Sequence, residues 1–176
     1  MEGAPARDRR VRRTRALLEN GLLSLLAEKG LEHIAMREVC RRADVATATP
    51  YAHYRDVVDI LEQMEERLWR AMQAALAHAP REQGITRALL LEVTGLVEQE
   101  RGLCRALLCH GADPAFSGRL QALLEADMAA RLHRPDAAFR AAFLLGGCLA
   151  VIERWLKAER PESPAEMAEL LLNLMA

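Results

Sequence analysis

A length of 176 residues allows one large or two small domains with a real core, and 51% apolar with 28% charged residues is the balance of a soluble globular chain. Aromatic residues make up only 4% while Leu and Ala abound, which argues against a sheet fold, since strands draw on aromatic and β-branched side chains. The net charge of −1 is divided unevenly, with 11 Lys/Arg against 7 Asp/Glu in residues 1–55 and 13 against 18 in residues 56–176.

Residues 1–9 include Gly3 and Pro5 and lack an apolar pattern, so they read as a flexible basic arm. Arg7, Arg9, Arg10, Arg12, Arg13 and Arg15 crowd together there, and that density suits a polyanion such as the phosphate backbone. From residue 10 to 28 the pattern turns helical, with Leu18, Leu22, Leu25 and Leu26 on one face and Leu17 beside them. Lys29-Gly30 is a stop signal, Gly30 being suited to a left-handed position. A short helix fits 36–42, a tight turn 43–45, and a third helix 47–54, with Thr47 as its cap and Pro50 tolerated in its first turn.

A long helix follows over 57–79, then helices over 85–100, 103–109, 114–132 and 135–159. The last helix spans 164–175 and carries a capping box, with Ser163, Pro164 at the first helical position and Glu166. No segment alternates with period two, so the expected class is all-α: a three-helix unit over 10–56 and a C-terminal helical region over 57–176. The most apolar stretch, 141–152, contains Gly146 and Gly147 and runs into Glu153-Arg154, which reads as a buried helix and no membrane span. With no signal-peptide pattern at the N-terminus, a cytoplasmic location is expected.

Helix, glycine turn, short helix, tight turn, short helix is the order of a helix-turn-helix unit, whose second motif helix enters the major groove. Here that element opens Ala46-Thr47-Ala48-Thr49, small or hydroxylated side chains that permit close approach, the threonine methyl and hydroxyl both being able to meet bases. The stretch 34–45, followed by Thr49-Pro50-Tyr51-Ala52-His53-Tyr54, resembles the signature of TetR-type transcriptional regulators, notably in its Tyr-x-His-aromatic ending. Residues 143–156 and 163–170 are similar to the last two helices of such regulators. The resemblance implies a homodimer on a double-stranded DNA operator, closed by a four-helix bundle, with a small-molecule effector pocket in the C-terminal helices.

Carried over residue by residue, the resemblance implies that Arg37 reaches a base or phosphate, Thr47, Ala48 and Thr49 read bases, and Tyr51 and His53 hold phosphates, while Tyr54 packs in the core. Arg9, Arg10, Arg12 and Arg13 are the further expected DNA contacts. Four departures stand out. Ala35 replaces the hydroxyl cap of the second helix, Asp44 replaces the turn glycine, Pro50 stands where an apolar residue precedes the tyrosine, and Val57 replaces the phosphate-binding lysine. Asp tolerates the left-handed region better than most residues, so the turn survives. These departures also point to an alternative: a coregulator that works through protein partners with little direct DNA binding.

In the C-terminal region Trp69, Met72, Leu90, Thr94, His110, Phe116 and Phe143 are the expected pocket residues, large apolar groups with isolated polar ones. The expected ligand is mostly apolar, with acidic surroundings pointing to a cation. The expected dimer interface runs through 139–156 and 164–175, by way of Phe139, Phe143, Gly146, Gly147, Trp155 and Leu171. Cys104, Cys109 and His110, with Cys148 or His133, do not form a zinc pattern: five residues turn a helix by about 140°, so the first two cysteines diverge. Reduced, buried thiols are expected, with no metal and no cofactor. No nucleophile elbow, phosphate loop or His-Glu-x-x-His motif is present, and no enzymatic role is expected.

Overall fold

The computed structural model describes residues 4–159 and 161–175, and among them helices α1 (Ala4–Leu26), α2 (Met36–Ala43), α3 (Val57–His78), α4 (Arg87–Gln99), α5 (Arg101–His110), α6 (Pro114–Leu132), α7 (Ala137–Lys157) and α8 (Pro164–Met175) follow one another without a strand. The chain divides into two compact units between Glu66 and Arg67, inside α3, which is later than the boundary at residue 56 read from the sequence. The described part of the basic arm is also different, because α1 is already helical from Ala4; residues 1–3 lie outside the described residues.

In the first unit α1 packs on α2 through the anticipated stripe, Leu18, Leu22, Leu25 and Leu26 being buried, although Leu17 faces out. Gly21 sits in that stripe, and a Cβ there would lie 3.0 Å from the Val39 carbonyl oxygen and 3.3 Å from the Ala43 Cβ. The two helices meet so closely that a hydrogen is the side chain this position accommodates. Arg42 reinforces the crossing by donating to Glu28 at 2.8 Å and to Ser24. Gly30 is extended, at φ −62°, and opens a 3₁₀ turn over Leu31–His33, so it does not take the left-handed position expected of it.

The second unit packs α4 on α8 and both α5 and α6 on α7. Local capping places the helix starts. Thr86 and Asp113 accept from the Leu89 and Phe116 amides, and Ser163 and Glu166 form the expected reciprocal box. The end of α3 is fastened from α6. Arg131 is 2% exposed and donates to the carbonyls of Leu76 at 2.9 Å and Ala79 at 3.2 Å, and to Asp127 at 2.5 Å. Asp127 accepts in turn from Arg81 at 3.1 Å, so both its oxygens are engaged.

No helix among the described residues is long and apolar enough to cross a membrane.

Candidate nucleic-acid interface and interior cavity

The segment after α2 departs most from its sequence reading. Residues 47–49 form a turn and Pro50–Ala52 a single 3₁₀ turn, where an α-helix over 47–54 is expected. The amides of this segment bond three residues back, Thr49 to Ala46 at 2.9 Å, Ala52 to Thr49 at 3.3 Å and His53 to Pro50 at 2.8 Å, and Tyr54 reaches four back, to Pro50 at 2.8 Å. Thr47 therefore caps no helix, and Thr49, which precedes the 3₁₀ turn, makes no side-chain cap bond.

The segment is held from below. Pro50 is buried, and so is Tyr54, whose hydroxyl donates to Glu19 at 2.8 Å and accepts from Arg15 at 3.3 Å. The Arg15 guanidinium also lies 5.3 Å from the Tyr54 ring centre. Burial of that phenol, ahead of the opposed effects of Arg15 and Glu19, pushes its pKa up to about 12. Asp44 takes the left-handed conformation at φ 54°, as its place in the turn requires. Asp56 caps α3 by accepting from the Asp59 amide at 2.8 Å, while Asp59 reaches back to the Arg55 amide at 2.8 Å.

Around this scaffold Thr47, Ala48 and Tyr51 are exposed, Tyr51 at 64% despite its size. Thr49 and His53 are half-buried, the His53 ring standing edge-on to Tyr54 at 6.4 Å. Arg37 on α2 is exposed, as are Arg9, Arg10, Arg12 and Arg13 on α1. Val57, at the lysine position of the resemblance, is 7% exposed and belongs to the core.

Ala35 lacks a capping oxygen, yet half of a capping box survives. Glu38 accepts from the Ala35 amide at 3.0 Å and from Lys29 at 2.8 Å. The Lys29 bond first, then the Ala35 amide, hold the Glu38 carboxyl at about 2. A carboxyl depressed in the folded state stabilises above its unfolded pKa and stops doing so as pH falls through its folded value. Glu38→Gln is therefore expected to lower the urea midpoint at pH 6–7, and the gap from the parent protein should close between about pH 5 and pH 2. A gap that is constant over that range would show that the carboxylate charge is not what stabilises the start of α2.

In the second unit a cavity of about 120 Å³ is lined from α3 to α8 mainly by aliphatic side chains. Of the expected pocket residues Met72 and Leu90 line it. The others do not. Thr94 is fully buried, donating to the Pro164 carbonyl at 2.8 Å and so tying α4 to the start of α8. Phe116 is buried edge-on against half-buried Trp69 at 6.4 Å, with Arg119 stacked 4.7 Å over the Trp69 ring. His110 is exposed at the end of α5, and Phe143 is 81% exposed on α7.

Two expected interface residues also lie elsewhere. Trp155 is 2% exposed, its indole donating to the Glu162 carbonyl at 2.8 Å and its ring covered by Arg101; Leu171 is buried and lines the cavity. Helix α7 thus carries two apolar stripes. Leu145, Cys148, Leu149 and Ile152 turn to the cavity, while Phe139, Phe143, Gly146 and Gly147 turn to solvent. Among the described residues nothing outside the adjacent turns of α7 lies within 4 Å of the Cβ position at Gly146 or Gly147, so no neighbouring element requires a glycine there. The inward stripe follows the i, i+3, i+4, i+7 rule, a signal present in the sequence but hidden by a helix apolar on nearly every side.

The family model described as transcriptional regulator C-terminal region matches residues 87–176, just over half of the chain. An uncharacterised HTH-type transcriptional regulator, YxbF of Bacillus subtilis, is 33% identical over 67 residues, which is 36% of this chain and 18% of that protein. This chain thus matches less than a fifth of that relative's length. A TetR transcriptional regulator from Streptococcus agalactiae superposes over 98% of this chain and 99% of its own at a TM-score of 0.58 and 24% identity. A TetR-like regulator from Rhodococcus superposes over 92% and 93% at a TM-score of 0.70 and 22% identity. With the all-helical fold, the turn at Asp44 and the matched C-terminal region together, the chain belongs to the TetR family of transcriptional regulators.

Proposed function

We propose that this chain represses transcription as a homodimer bound to a double-stranded DNA operator, and that a small molecule in the C-terminal unit relieves that repression. The observation that carries the reading is the segment 46–53, where Thr47, Ala48 and Tyr51 stand exposed over the buried Pro50 and Tyr54. Small hydroxylated groups suit the groove floor, and an exposed tyrosine suits a phosphate. Arg37, half-buried Thr49 and His53, and the arginines at 9, 10, 12 and 13 complete the contacts in this reading. The exposed Phe139, Phe143, Gly146 and Gly147 stripe is the surface through which two copies meet.

The test is a salt titration of binding to an operator selected from genomic fragments and to random DNA. Both affinities should fall steeply with salt, since phosphate contacts release counterions. Arg37→Ala and Thr49→Ala should each weaken operator binding by about 5–150-fold, corresponding to roughly 1–3 kcal/mol per base contact, and random DNA much less. Equal losses on both DNAs would assign these residues to positioning alone. The burial of Val57 favours one other reading, a coregulator that acts through protein partners, because it removes a phosphate contact. No DNA binding at low salt would select it.

A further inference from the structure

We propose that the cavity of the second unit takes a neutral apolar molecule, about the size of one substituted ring or a short branched chain, and refuses charged molecules of the same shape. The inference rests on the effector reading and names the chemistry of the effector. Its size follows from the volume. About 120 Å³ is close to the roughly 150 Å³ of engineered apolar cavities that hold benzene. The wall is built from Met72, Leu90, Val97, Leu107, Leu145 and Ile152, with the Cys104 and Cys148 thiols among them. Burial raises both thiol pKa values, that of Cys104 to about 12, so the sulfurs offer polarisable surface and no charge.

Neutrality follows from the state of the charged residues. Among the described residues, Asp127 and Arg131 are the two that line the cavity, and each is engaged elsewhere. Both oxygens of Asp127 accept from arginines, Arg131 at 2.5 Å and Arg81 at 3.1 Å. Arg131 directs its nitrogens to Asp127 and to the Leu76, Ala79 and Pro80 carbonyls at the end of α3. A carboxylate ligand would compete for Arg131 with Asp127 and the α3 carbonyls, and a cationic ligand would compete for Asp127 with two guanidinium groups, so neither residue offers an unpaired charge. An ion that does neither enters an aliphatic wall unpaired, at a large desolvation cost. Ser117 also lines the cavity, but its hydroxyl donates to the Asp113 carbonyl at 2.9 Å, so the wall presents apolar surface to a ligand. The acidic surroundings therefore do not translate into a preference for cations.

The experiment uses the full chain with three probes of similar shape: ethylbenzene, benzoate and benzylammonium. Thermal denaturation should show a saturable rise of about 3–6 °C with ethylbenzene at ten times its Kd. Benzoate and benzylammonium should bind at least ten-fold more weakly. In methyl NMR of the parent protein, the Met72 and Met128 signals should move with ethylbenzene, both residues lining the cavity, while Met36 and Met64 stay in place. Leu145→Trp should fill the space and abolish the response; the NMR result stands by itself if that variant fails to fold. An ion that binds as tightly as ethylbenzene, or an absence of shifts at Met72 and Met128, overturns the proposal. Operator affinity measured with and without each probe separates the two readings. Ethylbenzene bound in the cavity with operator affinity unchanged removes the inducible-repressor reading and keeps the ligand class. Release of DNA by an ion does the reverse.

Discussion

Replacing Arg131 by Met is expected to lower the unfolding free energy by about 3–5 kcal/mol, because it leaves the 5%-exposed Asp127 with a buried charge and only the exposed Arg81 to pair it. The loss has two parts. The guanidinium satisfies the carbonyls of Leu76 and Ala79, which fall at the end of α3 where no further turn of helix can supply donors. It also neutralises Asp127 away from water. The variants separate these parts. Asp127→Leu in the Arg131→Met background removes the orphaned carboxylate and should recover part of the loss, while the carbonyls stay uncapped. Urea denaturation followed by far-UV circular dichroism measures both, and an Arg131→Met variant within about 0.5 kcal/mol of the parent would mean that the pair contributes nothing net to folding.

Substituting Asp for Phe139 and Phe143 together is expected to convert a dimer at micromolar concentration into a monomer with an unchanged circular dichroism spectrum. The two rings are 85% and 81% exposed, so the protomer gains little from them, and a stable interface of about 1,200–2,000 Å² needs such a stripe at its centre. Gly146 and Gly147, open on the same side of α7, would let a second backbone approach closely. Leu170 and Leu174 on α8 are exposed as well. Two facing carboxylate pairs would then meet across a two-fold axis, where like charges repel as well as desolvate. Sedimentation velocity decides it: a parent protein that is monomeric, or a variant that stays dimeric, would move the interface off this face.

How far the sequence could be read depended on the range of the interaction. The Leu18, Leu22, Leu25 and Leu26 stripe, the Ser163–Glu166 box and the left-handed Asp44 were all legible, because each is set within a few residues. The helix over 47–54 was not: the stretch is only eight residues long, and between two buried anchors, Pro50 and Tyr54, the chain forms a 3₁₀ turn. Arg131 and Asp127 were invisible as a site. At spacing i, i+4 they look like a surface pair, and only the packing of α6 under the end of α3 buries them. Gly21 is likewise explained only by the facing backbone of α2, which no local pattern shows. Among the candidate contacts Arg37, Thr47, Ala48 and Tyr51 are exposed, and aromatic size was a poor guide to the cavity, which is walled mainly by aliphatic residues.

The 3₁₀ turn over Pro50–Ala52 also bears on how this protein could be re-engineered. Where base-reading residues sit on an α-helix, each substitution is constrained by helix propensity, and glycine or a β-branched residue weakens the element that presents it. Here residues 47 and 48 lie in a turn ahead of a proline, and the shape of the segment is held by buried Pro50 and by Tyr54 anchored to α1. Asn, Ser or Gly at these two positions would disturb no helical ladder. Libraries randomised there should keep a larger folded fraction than libraries randomised within α2, where each position answers to the stability of the helix. The corresponding cost is that i, i+4 spacing no longer dictates which side chains share a face, so pairings transplanted from a longer helix would land on different faces here.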